Sequence, residues 1–297
     1  MSDTTASLRR KIGSAGQLQS VVLTMKALAA SSIDQYERAV RALTDYSRAV
    51  DLGLGVCLRG TEALTLKTAG PKQTVAVAVG AVVFGSDQGL VGQFNDVIAQ
   101  HALKALAARP EGSRVWAVGE RVHARLKDAG VPPVGLFTVP NSVKAITPLV
   151  GQILLESEKH NGLIAGAELH LFYNRPTTGA GYEPASQRLL PLDETWRRTL
   201  AERPWPTGNR PEIVGGGAAT LRALIREYLF VSLFRACADS LASENASRLA
   251  AMQRADKNID ELLGTLTSDF HRLRQSGIDE ELFDVVSGFE ALIGHEN

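Results

Sequence analysis

A chain of 297 residues is long enough for one large domain or two ordinary ones. With 44% apolar and 22% charged residues it reads as soluble and globular, and 32 basic residues balanced by 32 acidic ones leave no net charge to draw nucleic acid or an anionic membrane. The two cysteines, Cys57 and Cys237, stand far apart without a CxxC or Cys/His cluster, which excludes a disulfide scaffold and a zinc site and predicts buried, reduced thiols of a cytosolic protein.

The N-terminus, MSDTTASLRRKIGS, lacks the apolar core of a secretory signal, and no run reaches the ~18 apolar residues of a membrane span. Any membrane role is therefore expected to be peripheral. All 12 prolines fall between Pro71 and Pro211. Proline removes a backbone donor and clashes with the preceding turn, so two proline-free ends predict two long helices around one insertion. In the first, Ile33, Tyr36, Val40, Leu43, Val50, Leu54 and Cys57 step by threes and fours, with Ser47 filling the gap, as in a heptad seam. Ser7 is the expected N-cap.

The middle alternates strands and helices. Val75 to Phe84 is a β-branched apolar run, followed by a turn from Gly85 to Gly92 and a helix over 94–108. Strands are predicted at Arg114–Val118, Val134–Val139 and Glu168–Tyr173, with helices over 120–129 and 142–160 between them. Ser186–Leu190 is a candidate fifth strand; 174–184 and 201–217 read as loops. This order implies a right-handed parallel α/β sandwich. After Gly215-Gly216-Gly217, the apolar stepping resumes at Leu221, Leu224, Ile225, Tyr228 and Leu229, passes an alanine-rich stretch, and continues through Ile259, Leu262, Leu266, Phe270 and Leu273. A helix that long needs a partner to bury its stripe. The fold class is thus α/β: a long antiparallel coiled coil of N- and C-terminal helices plus an inserted Rossmann-like parallel α/β domain. The parts are 1–60, 72–200 and 215–297.

Little in the sequence points to chemistry. The Gly85–Gly92 turn sits where nucleotide folds bind phosphate, yet it is neither GxGxxG nor a P-loop. The histidines (His101, His123, His160, His170, His271, His295) have no metal-ligand spacing. There is no GxSxG elbow. No catalytic, cofactor-binding or metal-binding residue and no small-molecule ligand is expected.

The C-terminal run carries more information. Leu241, Ala242, Ser243, Glu244, Ala246, Arg248, Ala251 and Met252 match the "SLASE-x-A-A/S-R-M-x-A-M" run of the γ subunits of F-type ATP synthases. Arg274, Gln275, Ile278, Glu281, Val286 and Gly288 match that family's later "ARQ-x-x-I-T-x-E-(I/L)-x-E-I-V-x-G". The turn Ser86-Asp87-Gln88-Gly89-Leu90-Val91-Gly92 is similar to its "SD-R-G-L-C-G". The start, Leu8 to Ile12 and Met25 to Ser31, resembles "IR-x-(K/R)-I" and "AM-x-x-VAASK". The resemblance spans the whole chain. Departures, with Ser20 to Leu23 and Ser32 where lysines are usual and Asp279 in place of threonine, suggest a divergent member, such as the γ subunit of the alternate, sodium-type bacterial F-type ATPase; ion choice itself resides in other subunits.

The resemblance implies a non-catalytic rotor shaft that couples proton or sodium flow through a membrane c ring to conformational change in a catalytic α/β ring. Its partners would be the α, β and ε subunits and the c ring, with no nucleic acid. Its place would be peripheral, on the cytoplasmic face of the bacterial inner membrane. By the family's pattern, Arg248, Arg274, Gln275 and Glu281 would touch the stator ring, and Asp87, Gln88 and Gly89 would face ε and the c ring. An α/β enzyme with helical dimerisation ends and a free-standing coiled-coil adaptor are the alternatives. The first lacks a convergent polar set, and the second leaves the ordered matches unexplained.

Overall fold

A computed structural model describes residues 4–60, 79–107, 113–161, 168–177, 181–209, 211–214 and 216–293, with side chains left out at 60, 160–161 and 289–293. The expected strand residues 75–78, the His160 side chain and His295 lie outside that description. Eleven elements follow in order: α1 (Thr5–Gly60), β1 (Val79–Phe84), α2 (Phe94–Ala107), β2 (Arg114–Val118), α3 (Glu120–Asp128), β3 (Gly135–Phe137), α4 (Val143–Asn161), β4 (Glu168–Pro176), β5 (Tyr182–Leu190), α5 (Glu194–Glu202) and α6 (Gly217–Ile293). They divide into two compact units, one of residues 1–28 with 249–297, the other of residues 29–248.

In the terminal unit, α1 and α6 run antiparallel. Going forward along α1 from Gln19 to Lys26, the hydrogen-bonded partners go backward along α6, from Asp260 to Asp256. Val22, Met252 and Ile259 are buried between the helices, flanked by Met25, Ala255 and Leu263. The seam therefore passes through Leu263; Leu262, expected to face inward, is half exposed. Helix α1 starts one turn earlier than expected. The Ser7 N–H donates to Thr4 Oγ1 at 3.2 Å, so Thr4 is the cap and Ser7 lies inside the first turn.

In the larger unit, a five-stranded sheet has the order β3-β2-β1-β4-β5. The first four strands pair in parallel, with Gly80 opposite Arg114 and Leu169, and Trp116 opposite Gly135. β5 runs antiparallel to β4, so the sheet is mixed rather than wholly parallel. The connection over 177–181 explains this, because a parallel return needs a crossover of about a dozen residues or more. Both strands are also longer than the sequence suggested, and take in most of the expected 174–184 loop. As the edge strand, β5 tolerates Pro184.

The period-2 alternation sends residues to opposite faces. Ala81, Val83, Val115, Ala117 and Phe172 pack against α2 and α3 through Ile98, Ala102, Val122 and Leu126. Val82, Phe84, Val118 and Leu171 face Ile146, Val150 and Ile153 of α4, and the same core takes in Tyr36 of α1 and Leu229, Leu233, Ala238 and Leu241 of α6. The seam expected on α1 is realised here: Tyr36, Val50, Leu54 and Cys57 are buried, and Ile33, Val40, Leu43 and Ser47 are half-buried. Helix α5, which the sequence reading did not anticipate, is capped by Asp193 accepting from the Trp196 N–H. It lies so close to α1 that a Cβ on Gly55 would stand 2.4 Å from the Leu200 carbonyl oxygen. Among the described residues no helix is long and apolar enough to cross a membrane.

Candidate functional site

The turn between β1 and α2 is the polar centre of the larger unit. It leaves the carboxyl end of β1, where the chain order reverses between β2 and β4. In open α/β sheets that switch point is where a crevice forms. Asn95 closes the turn from within: its Oδ1 accepts the Ser86 N–H at 2.9 Å and its Nδ2 donates to Ser86 Oγ at 2.8 Å. Ser86 Oγ in turn donates to the Gln88 carbonyl at 3.0 Å. Leu90 adopts φ of 62° although it is not glycine, and stands 61% exposed. A bulky residue in left-handed backbone is sterically costly and persists only where its surroundings impose it.

Asp87 reaches across to two neighbouring loops. One carboxylate oxygen accepts the Glu120 N–H at the start of α3 and the other the Val139 N–H after β3, both at 2.9 Å. Its carboxylate thus holds the strand ends together, and satisfies an otherwise orphan donor at a helix N-terminus. Gln88 is exposed, Gly89 half-buried with Arg121 beside it.

The remaining side of the crevice is filled by the chain itself. Ser247 Oγ of α6 donates to the Val91 carbonyl at 2.5 Å, and Ser243 Oγ donates to the Asn174 carbonyl at 3.0 Å. Asn174 Nδ2, at the far end of β4, donates to the Phe94 carbonyl at 3.0 Å. A mid-helix serine commonly bonds back to its own helix four residues earlier; these two bond outward instead, to β4 and to the turn. The alanine- and serine-rich stretch of α6 is what permits this close approach.

Arg248 lies at the edge of the same cluster. Its Nη2 donates to Glu244 Oε1 at 2.6 Å, and its Nη1 to Asn245 Oδ1 at 3.3 Å. Both members of the Arg248–Glu244 pair are largely buried. Burial pushes the Glu244 carboxyl above its usual range, the Arg248 charge opposes this, and the nearby Asp87 charge adds to the rise. Burial likewise raises the Tyr36 phenol to about 12. Arg274, Gln275 and Glu281 lie in the terminal unit, exposed on α6. Neither Arg274 nor Glu281 forms an ion pair among the described residues. The structure thus brings Asp87, Gln88, Gly89 and Arg248 into one unit and Arg274, Gln275 and Glu281 into the other. Among the described residues no group of three or more His, Cys, Asp or Glu is placed to hold a metal ion.

Sequence reasoning missed Ser247, Asn174 and Asn95, and quoted Ser243 and Glu244 only as matches. Hydroxyls embedded in an alanine-rich helix were the available signal, since small polar side chains there mark a close approach of another backbone.

The family model described as ATP synthase matches residues 4–292. The chain belongs to the ATP synthase gamma-chain family. Among its relatives, the ATP synthase gamma chain of Glaesserella parasuis serovar 5 is 27% identical over 96% of this chain and 98% of that one. That of Clavibacter sepedonicus is 28% identical over 95% and 96%. The fold matches the central stalk and c-ring structure of Tetrahymena thermophila mitochondrial ATP synthase, with a TM-score of 0.58 at 20% identity, covering 79% of this chain and 99% of that one. A chain from the OSCP/F1/c-ring structure of Euglena gracilis mitochondrial ATP synthase gives 0.65 at 16%, covering 99% and 96%. As a gamma chain, the protein is a non-catalytic subunit of an ATP synthase complex. The Ser243–Arg248 stretch that matched this family is the one that fastens α6 to the α/β elements.

Proposed function

We propose that this chain is the central rotor shaft of an F-type ATP synthase, coupling ion flow through a membrane c ring to conformational change in a ring of catalytic α and β subunits. The observation that carries this reading is the pattern on α6 of the terminal unit. Met252, Ile259 and Leu263 are turned against α1, and beyond them Arg274, Gln275 and Glu281 stand exposed together with Ile278, Leu282 and Phe283. Coupling is a differential contact energy between states, so exposed polar groups on a rigid helix are what such a shaft needs. An arginine there suits a carboxylate on the stator, which it can bind through two parallel N–H donors.

Arg248 is the fourth stator contact in this reading, engaging the ring in exchange for Glu244. Asp87, Gln88 and Gly89 belong to the foot that meets ε and the c ring, where Gln88 and Leu90 offer exposed surface and Asp87 holds the turn in shape. The sequence parts 1–60, 72–200 and 215–297 then serve as shaft, foot and shaft. The subunit sits peripherally on the cytoplasmic face of a bacterial inner membrane.

In the reconstituted complex, Arg274→Ala with Gln275→Ala should lower coupled ATP synthesis about tenfold, the equivalent of losing one charge-assisted hydrogen bond, with assembly and helix content unchanged. Arg248→Ala should also lower coupling. Full synthesis by an assembled double variant would overturn the assignment.

A further inference from the structure

Outside the polar turn, the larger unit has a groove of about 630 Å³ between α1, α6 and the segment that follows α5. Leu43, Leu52, Val231 and Trp205 are among its apolar lining. Three guanidiniums line it: Arg48 from α1, Arg203 from the end of α5 and Arg235 from α6. Only one carboxylate, Asp51, lines it with them.

These cations are weakly compensated. Arg203 stands 3.6 Å from Asp51, and Arg235 Nε stands 3.9 Å from Asp239, which does not line the groove. Both separations exceed the ~2.7–2.9 Å of a good charge-assisted hydrogen bond. Arg48 forms no ion pair among the described residues. Side chains of Arg203 and Arg235 keep 43% and 66% of their surface open. Burial raises the Asp51 carboxyl, and the Arg203 charge opposes the rise.

An apolar floor beneath a cationic rim is complementary to a polypeptide that carries both apolar side chains and carboxylates. A phosphate ion would leave Leu43, Val231 and Trp205 uncovered. A bilayer could not follow a concave cleft of this size. The geometry points to a docking groove for an acidic, partly apolar segment of another subunit, seated by Arg48, Arg203 and Arg235. This rests on the reading of the chain as a subunit of a larger complex, and gives one of its contact surfaces a charge and a chemistry.

The test uses the assembled, purified complex with a photo-crosslinking benzoylphenylalanine in place of Leu52, a groove-lining residue. Mass spectrometry of the product should identify a partner peptide with at least two carboxylates near the adduct. Arg48→Glu with Arg235→Glu should reduce that crosslink at least tenfold, and changing the identified carboxylates to lysine should restore it. A lipid adduct, a neutral or basic peptide, no adduct, or an adduct unaffected by the double reversal would each overturn the groove assignment. If the chain never assembles with nucleotide-binding subunits, the parent reading fails instead, so the two failures are distinguishable.

Discussion

Asp87 shows how a motif residue can be absorbed by structure. Its two oxygens each accept one backbone N–H, from loops that follow different strands. Asp87→Ala should destabilise the larger unit by about 2 kcal/mol, the range for hydrogen bonds to a charged group, as read from the urea midpoint; an unchanged midpoint would show that water replaces both bonds without loss. Asp239 makes a different claim. Burial raises its carboxyl to about 6, and Arg235 and Arg175 lower it only in part. An acid raised in the folded state holds a proton that the unfolded chain has already released. Stability therefore falls as pH climbs from about 4 through 6, and the penalty is complete above that window. Relative to Asp239→Asn, the wild type should lose up to about 3 kcal/mol across pH 4–7. Parallel profiles for the two proteins in calorimetry would refute this.

At the scale of elements, much was legible. Proline placement and the three-four stepping marked α1 and α6, because helix exclusion and stripe burial are local properties of a sequence. Four of the five strands are legible as short, largely apolar runs bounded by turns, β1 as a β-branched one, and β5 in part, over Ser186–Leu190. The direction of β5 is not legible, since direction depends on the length of a connection, and the turn-forming composition of 174–184 masks where the two strands end. Helix α5 was invisible because it is short and mostly polar, and it is fixed by the Asp193 cap and by Leu200 packing on α1 rather than by periodicity. Of the site, the turn and the α6 motif were found, but their union was not: Ser247 meets Val91 across 156 positions of sequence. That union predicts that Ser243→Ala with Ser247→Ala, which leaves two carbonyls short of a partner, costs about 2 kcal/mol. Amide exchange in β4 and in the turn around Val91 should quicken correspondingly; unaltered exchange would mean that apolar packing alone seats the helix.

At the scale of the whole molecule, the division into units falls within both long helices, not at their junctions with the α/β elements. Residues 29–248 are contiguous and contain the whole sheet and its two cores. A fragment of those residues should fold alone and unfold cooperatively, with the near-ultraviolet dichroism of its tryptophans retained; a fragment without fixed tertiary signal would show that the terminal helices are needed for folding.

The two serines that fasten α6 to the turn and to β4 carry one further consequence. Each hydroxyl is set by a single side-chain torsion, whereas a lysine or glutamine in the same place would bring several and the looseness that accompanies them. Short pegs seated in backbone carbonyls leave little side-chain slack where the helix is joined to the α/β elements.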